Sequence, residues 1–192
     1  MKIMVTGASG FLGRAVVERL SRDARVVPVT HRQPVPGGAP CDVRDADAVR
    51  RLVEMTRPDA VIHAAAYRQP DFCEENPEET RRLNVESVRH FAEALPPPAR
   101  LLFVSTDYVF DGENPPYREG DAVCPINEYG RSKAEAEEVV RARPGSIVLR
   151  IPLLVGAGAD WDSCGFIREA VGLIESGKPS VQDDVIVRRP TW

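Results

Sequence analysis

Gly7, Gly10 and Gly13 stand at the junction between a short apolar run, Lys2–Thr6, and a stretch of helical spacing over residues 11–22. A short apolar run that ends in glycines reads as a strand buried on both faces, as parallel sheets require. Apolar residues at 12, 16, 17 and 20 give the following helix one face to lay on that sheet. The pattern then recurs. Apolar or β-branched runs over 25–30, 60–65, 101–105 and 146–151 alternate with helical stretches over 46–56, 78–95 and 128–141. Pro58 lies just past the second helix, and Pro96-Pro97-Pro98 stops the third. Such alternation predicts an α/β fold, a Rossmann-type doubly wound parallel sheet with right-handed crossovers. Residues 31–40 and 111–125 read as long exposed loops, and no internal repeat is visible.

At 192 residues and 43% hydrophobic composition the chain can bury one sizeable core, so residues 1–192 read as one domain. A net charge of −4 without a basic run excludes nucleic acid as the expected partner. No apolar stretch is long enough to span a membrane, and the start Met1-Lys2-Ile3-Met4-Val5 is too short for a signal peptide. Cys41, Cys73, Cys124 and Cys164 are scattered with no Cys-x-x-Cys pair, which reads as reduced thiols of a cytoplasmic protein and no metal site.

The glycines carry the first chemistry. A glycine turn lets the backbone approach a pyrophosphate closely, and the helix start behind it offers N–H groups and a positive dipole end. Gly7, Gly10, Phe11, Leu12 and Gly13 are therefore expected to cradle a dinucleotide. The plain alternative is a tight strand-helix turn with no ligand. An acid at the end of the second strand would bind the ribose 2′-hydroxyl of NAD, but this chain has Thr30-His31-Arg32. Arg32 suits a 2′-phosphate, so NADP (as NADPH) is the expected cofactor and NAD the alternative. Asp42 and Val43 follow a variable loop and are expected to meet the adenine. An acid at a helix start favoured by the dipole is the structural alternative for Asp42.

The second chemistry is Tyr129-Gly130-Arg131-Ser132-Lys133. Positions four apart share a helix face, so the ammonium of Lys133 can stand beside the phenol of Tyr129. A tyrosine titrates near pH 10, and a nearby cation favours the phenolate and lowers that value. Thr106 ends a buried strand, the usual place for functional residues in such sheets. Its hydroxyl can hydrogen-bond a substrate carbonyl while Tyr129 supplies the proton. A half-buried aromatic and a surface charge are the bland readings of Tyr129 and Lys133.

These residues resemble the extended short-chain dehydrogenase/reductases. Val104-Ser105-Thr106-Asp107-Tyr108-Val109-Phe110-Asp111-Gly112, Pro116-Tyr117-Arg118-Glu119 and Pro125-Ile126-Asn127-Glu128-Tyr129-Gly130 are similar to the dTDP-4-dehydrorhamnose reductase family, which also contains the regulatory β subunit of methionine adenosyltransferase. His63-Ala64-Ala65-Ala66, Arg68-x-Pro70-Asp71 and Leu83-Asn84-Val85 resemble the β subunit most. The resemblance implies that Ala64, Ala65 and Ala66 line the cofactor, that Thr106, Tyr129 and Lys133 are catalytic, and that Tyr129 and Lys133 also touch the cofactor. Asn84 resembles the asparagine that orders a proton path in the wider superfamily, with a helix-start or turn asparagine as the plain alternative.

Two departures matter. Dehydratases of the superfamily follow the threonine with Asp-Glu, whereas Asp107 is followed by Tyr108. A tyrosine cannot serve as the base of that elimination, so a dehydratase is excluded. The missing acid after the second strand counts against an NAD-retaining epimerase. The chain is also short for the family: it stops at Arg189-Pro190-Thr191-Trp192, where relatives continue into the part that forms most of the sugar pocket. The expectation is a dinucleotide-binding domain lacking most of the C-terminal substrate lobe. The implied function is NADPH-dependent reduction of a nucleotide-linked 4-keto-6-deoxy sugar. The alternatives are a nucleotide-binding regulatory subunit that binds another enzyme, and a truncated binding module. The family pattern allows a homodimer or a partner enzyme.

Overall fold

The computed structural model describes residues 1–156 together with 171, 172, 175 and 176. Its strands are β1 (Lys2–Thr6), β2 (Arg25–Thr30), β3 (Ala39–Pro40), β4 (Ala60–His63), β5 (Arg100–Thr106) and β6 (Ile147–Ile151). They form one sheet in the order β3-β2-β1-β4-β5-β6, and every pairing is parallel. The chain runs outward from β1 to β3, returns to place β4 on the other side of β1, and runs outward again to β6. The gap between the carboxyl ends of β1 and β4 is the switch point at which doubly wound sheets bind ligands. The fold is the doubly wound parallel sheet that the strand-helix alternation predicts.

The helices are α1 (Phe11–Leu20), α2 (Ala46–Thr56), α3 (Pro70–Glu75), α4 (Pro77–Arg81), α5 (Ser87–Ala94) and α6 (Glu128–Arg141). Their ends follow from named side chains. The Asp45 carboxylate accepts the N–H groups of Asp47 and Ala48 at 2.9 and 3.0 Å and starts α2. Arg57 closes α2 in the left-handed region (φ 44°), directly before Pro58. Asn127 caps α6 by accepting the N–H of Gly130 at 2.8 Å. In the core, Met4, Val29, Val61, Leu101 and Phe103 of the sheet meet Val49, Leu52 and Val53 of α2, Val88 and Phe91 of α5, and Ala136 and Val140 of α6. Each such side chain stabilises the fold by roughly 1.5–3 kcal/mol through burial.

Several boundaries differ from the sequence reading. The 31–40 loop contains β3, which pairs with β2 from Val29↔Ala39 to Thr30↔Pro40. Two residues carry no periodicity to detect, and a proline is tolerated because this is the sheet edge. The expected single helix over 78–95 is three pieces: α4, a π-wound turn at Arg82–Glu86, and α5. The expected strand over 60–65 ends at His63, because the N–H groups of Ala64 and Ala65 leave the sheet to donate to Thr6 Oγ1 at 3.1 and 3.2 Å. Helix α3 went unread; Pro70 opens it. Cys41 and Cys73 are buried free thiols and Cys124 is an exposed one, while Cys164 lies outside the described residues. No helix among the described residues is long and apolar enough to cross a membrane.

Candidate functional site

The glycine turn sits at the carboxyl end of β1. Gly7 has φ +66°, and a Cβ on Gly13 would lie 2.1 Å from the Gly7 carbonyl oxygen. The first turn of α1 can therefore close onto the strand end only without a side chain there. Gly10 caps α1 without a side-chain hydrogen bond, and no acidic residue occupies the first turn. The helix start keeps its N–H groups and positive end unclaimed, which is the arrangement that accepts a phosphate.

A buried hydrogen-bond chain fixes the strand ends on either side of the switch point. Thr6 Oγ1 accepts the N–H groups of Ala64 and Ala65, so its single proton goes to His63 Nδ1, 3.1 Å away. His63 Nε2 then carries the ring proton and donates to Ser87 Oγ at 3.0 Å, and Ser87 donates in turn to the Leu83 carbonyl. Only one tautomer satisfies every member. His63 is fully buried beside the Phe91 and Phe103 rings, and burial, with help from the Lys133 charge, pushes its pKa down to about 3.

A cleft of about 340 Å³ opens beside the turn, between the ends of β2, β1 and β4. Of the residues expected to hold a cofactor, Gly7, Arg32, Asp42, Val43, Ala65 and Ala66 line it. Gly10, Phe11, Leu12 and Gly13 form the adjoining helix start, and Ala64 lies behind the wall with its N–H on Thr6. Arg44 and Tyr67 also line the cleft, and the sequence reading missed both. Arg44 Nε and Nη2 donate to the Asp42 carboxylate at 2.9 and 2.8 Å, and Nη1 reaches Glu79 Oε1 at 3.1 Å. Arg44 holds the Asp42 carboxyl down at about 2, against the opposing pull of burial. The Tyr67 hydroxyl donates to the same Glu79 oxygen at 3.0 Å. Asn84, in the π-wound turn, grips the Tyr67 backbone at both N–H and C=O and donates to Ser132 Oγ, all at 2.9–3.0 Å. Ser132 passes its proton to the Tyr129 carbonyl at 2.7 Å. Asn84 thereby connects the cleft wall to α6. The Asp-x-Arg spacing at Asp42 and Arg44 was the one available sign of the pairing.

Thr106, Tyr129 and Lys133 lie apart from that cleft, at the carboxyl end of β5 and along α6. Thr106 donates to Asp107 Oδ1 at 3.1 Å and accepts the Tyr108 N–H at 3.2 Å, which starts the turn at Asp107–Val109. A Cβ on Gly130 would lie 2.2 Å from the Tyr108 carbonyl oxygen, so this glycine lets α6 seat directly on that turn. Tyr129 packs edge-on against Tyr108, with ring centroids 5.6 Å apart. Its phenol does not show the expected depression. Burial pushes it up to about 12, opposed by the neighbouring Thr106 hydroxyl and reinforced by Asp107. Lys133 is buried at 3% exposure and donates to the Val104 carbonyl at 2.6 Å, with its ammonium 3.9 Å from the centre of the Phe103 ring. No hydrogen bond joins it to Tyr129 among the described residues. Burial pushes the Lys133 amine down to about 7, with Glu137 acting the other way.

Glu137, one turn further along α6, is wholly buried. It takes the Ser105 hydroxyl at 2.6 Å, both arms of Arg150 at 2.9 and 2.7 Å, and Arg141 at 2.7 Å. Burial alone would raise its pKa, but Arg150 and Ser105 outweigh that and hold the carboxyl below the usual range.

Comparison with known proteins agrees with this arrangement. The family described as RmlD substrate binding domain matches residues 1–192. The methionine adenosyltransferase 2 subunit beta of Danio rerio is 41% identical over 157 residues, 81% of this chain and 48% of that protein. A probable low-salt glycan biosynthesis reductase of Haloferax volcanii is 37% identical over 186 residues, 92% of this chain and 62% of that protein. The dTDP-4-dehydrorhamnose reductase of Bacillus anthracis, solved in complex with NADP, superposes with a TM-score of 0.79 at 28% identity, over 91% of this chain and 60% of that one. The chain thus spans about half the length of the curated beta-subunit relative and about 60% of the reductase structure. With its parallel sheet, its glycine turn and a family match from end to end, this chain belongs to the RmlD substrate binding domain family.

Proposed function

We propose that this chain is the nucleotide-binding part of an NADPH-dependent reductase of a nucleotide-linked 4-keto-6-deoxy sugar. The observation that carries the reading is a coincidence of position. An uncapped helix start at β1 and a Thr106/Tyr129 pair at β5 both lie at the carboxyl edge of one sheet, on either side of the switch point. The turn fits a dinucleotide: a Cβ at Gly7 or Gly13 would fill the space against the backbone, and no side chain occupies the helix start. Gly7 and the first N–H groups of α1 would hold the pyrophosphate, with Asp42, Val43 and Arg32 toward the adenosine. The nicotinamide, when bound, supplies the hydride.

The chain's own residues do the rest. Thr106 offers a hydroxyl for the substrate carbonyl oxygen. Tyr129 holds the proton that this oxygen takes up. A phenol raised to about 12 stays protonated throughout the neutral range, as a proton donor must before reaction. Lys133 stabilises the phenolate left behind, which requires its ammonium to leave the Val104 carbonyl. The family's NADP-bound structure and the glycan reductase relative support this reading.

A second reading is an NADP-binding regulatory subunit with little catalysis of its own. The 41% identical relative is a subunit of methionine adenosyltransferase, and the engagement of Lys133 with Val104 rather than Tyr129 favours it. Titration of the protein with NADP, followed by NADPH oxidation across a panel of nucleotide-linked keto sugars, separates the two. Turnover that vanishes in Tyr129→Phe while NADP binding persists supports the reductase. NADP binding without turnover of any keto sugar, with stable association to a methionine adenosyltransferase catalytic chain, supports the regulator.

A further inference from the structure

Two acidic side chains stand at the adenosine end of the cleft: Asp42 on its wall, and Glu79 just behind it. A bare carboxylate there attracts a ribose 2′-hydroxyl and repels a 2′-phosphate dianion. Neither acid is bare. Asp42 Oδ1 accepts the Arg44 N–H at 3.0 Å and Nε at 2.9 Å, and Oδ2 accepts Nη2 at 2.8 Å and Nε at 3.2 Å. His31 Nε2 lies 3.7 Å from the same Oδ2. The remaining arm of Arg44 goes to Glu79, which also takes the Tyr67 hydroxyl. Arg44 is itself only 17% exposed on its side chain, so the clasp is built into the wall. A forked guanidinium is the group suited to such a pairing. Arg32, by contrast, is exposed on the cleft and forms no ion pair among the described residues.

We propose that Arg44 is a specificity-determining residue: by cancelling Asp42 and Glu79 it leaves Arg32 as the unbalanced charge of the cleft, and so selects a dinucleotide bearing a 2′-phosphate over one with a free 2′-hydroxyl. This rests on the dinucleotide reading above. Asp42 stays ionised at any working pH, so protonation cannot relieve the repulsion and the clasp must. Arg44 would hold the carboxylates rather than the phosphate.

Isothermal titration of the full chain with NADP and with NAD tests this, using the parent, Arg44→Gln, Asp42→Asn and the double variant, with thermal melts to establish folding. Arg44→Gln is expected to weaken NADP by about tenfold or more while NAD changes by less than about threefold. Adding Asp42→Asn to it restores most of the lost NADP affinity. Asp42→Asn alone, which keeps every cation, leaves the preference for NADP unchanged or larger, and carries the test if Arg44→Gln does not fold. Equal loss of both dinucleotides in Arg44→Gln, or a fall in NADP preference in Asp42→Asn, overturns the assignment. A parent chain that prefers NAD overturns it while leaving the dinucleotide site standing. A parent that binds neither removes both readings.

Discussion

Lys133 stands one helical turn after Tyr129, yet its ammonium donates to the carbonyl of Val104 at 2.6 Å, inside the protein. A cation in that position is costly to bury, and its folded pKa of about 7 lies well below the value of 10.5 for a free lysine. Between those two values the unfolded chain binds a proton that the folded chain does not. Stability attributable to Lys133 therefore rises with pH across that window, by up to about 1.4 kcal/mol per pH unit, and its penalty is fully present below about 7. Lys133→Met is expected to melt higher than the parent at pH 7, by at least about 1 kcal/mol, with the difference shrinking as pH approaches 9. Chemical denaturation of both proteins at pH 7, 8 and 9 measures it. A constant difference would show that Lys133 carries no shifted charge.

His63 gives a second pH dependence of its own. Its folded pKa of about 3 lies below the usual 6.5, so on acidification the unfolded chain takes the proton first. The stability it contributes is complete above 6.5 and is lost progressively as pH falls toward 3. Nitrogen NMR of labelled histidine is expected to show a neutral ring protonated at Nε2, as the Thr6 and Ser87 hydrogen bonds demand. A resonance titrating near 6.5 would contradict the chain of donors described above.

Glu137 and Arg150 bridge α6 to β6 through both carboxylate oxygens. Glu137→Gln leaves Arg150, only 16% exposed, without its counter-charge. The expected cost is about 3–5 kcal/mol by denaturant unfolding, of which the double variant with Arg150→Gln recovers a substantial part. Because the carboxyl titrates below its ordinary range, this contribution persists above about 4.5 and disappears as pH falls below it.

Gly130→Ala introduces a methyl group 2.2 Å from the Tyr108 carbonyl oxygen, a contact no relaxed pair of atoms tolerates. Helix α6 must lift from the turn after β5, at a cost of about 1–3 kcal/mol or more. The same displacement moves Tyr129 relative to Thr106, so any keto-sugar turnover should fall further than the loss of folded protein explains. Comparing turnover with the folded fraction from circular dichroism separates the two effects.

The layered plan was legible because it depends on periodicity. Runs such as Lys2–Thr6 and Arg25–Thr30 are buried on both faces and read as strands from composition alone. The glycines at 7, 10 and 13 also declared the turn they make. What stayed hidden depends on contacts between distant residues. Nothing local marks β3, whose two residues pair only because β2 lies beside them. Arg44 is an ordinary polar residue until Glu79, 35 positions away, comes within 3.1 Å. Likewise the spacing of Tyr129 and Lys133 places them on one helix but does not say where a long flexible side chain will put its charge. The interior carbonyl of Val104 decides that, and it belongs to another strand.

The π-wound turn at Arg82–Glu86 has a consequence for how this segment can change. A π turn holds one more residue than the α-helical turn it replaces. Removing a single residue there would wind the segment regularly and rotate everything after it by about 100°. Ser87 would then swing off His63, and Val88 and Phe91 would no longer address the interior. Single-residue deletions are therefore far less tolerable in this turn than in the exposed 111–125 loop, although both flank the same chemistry.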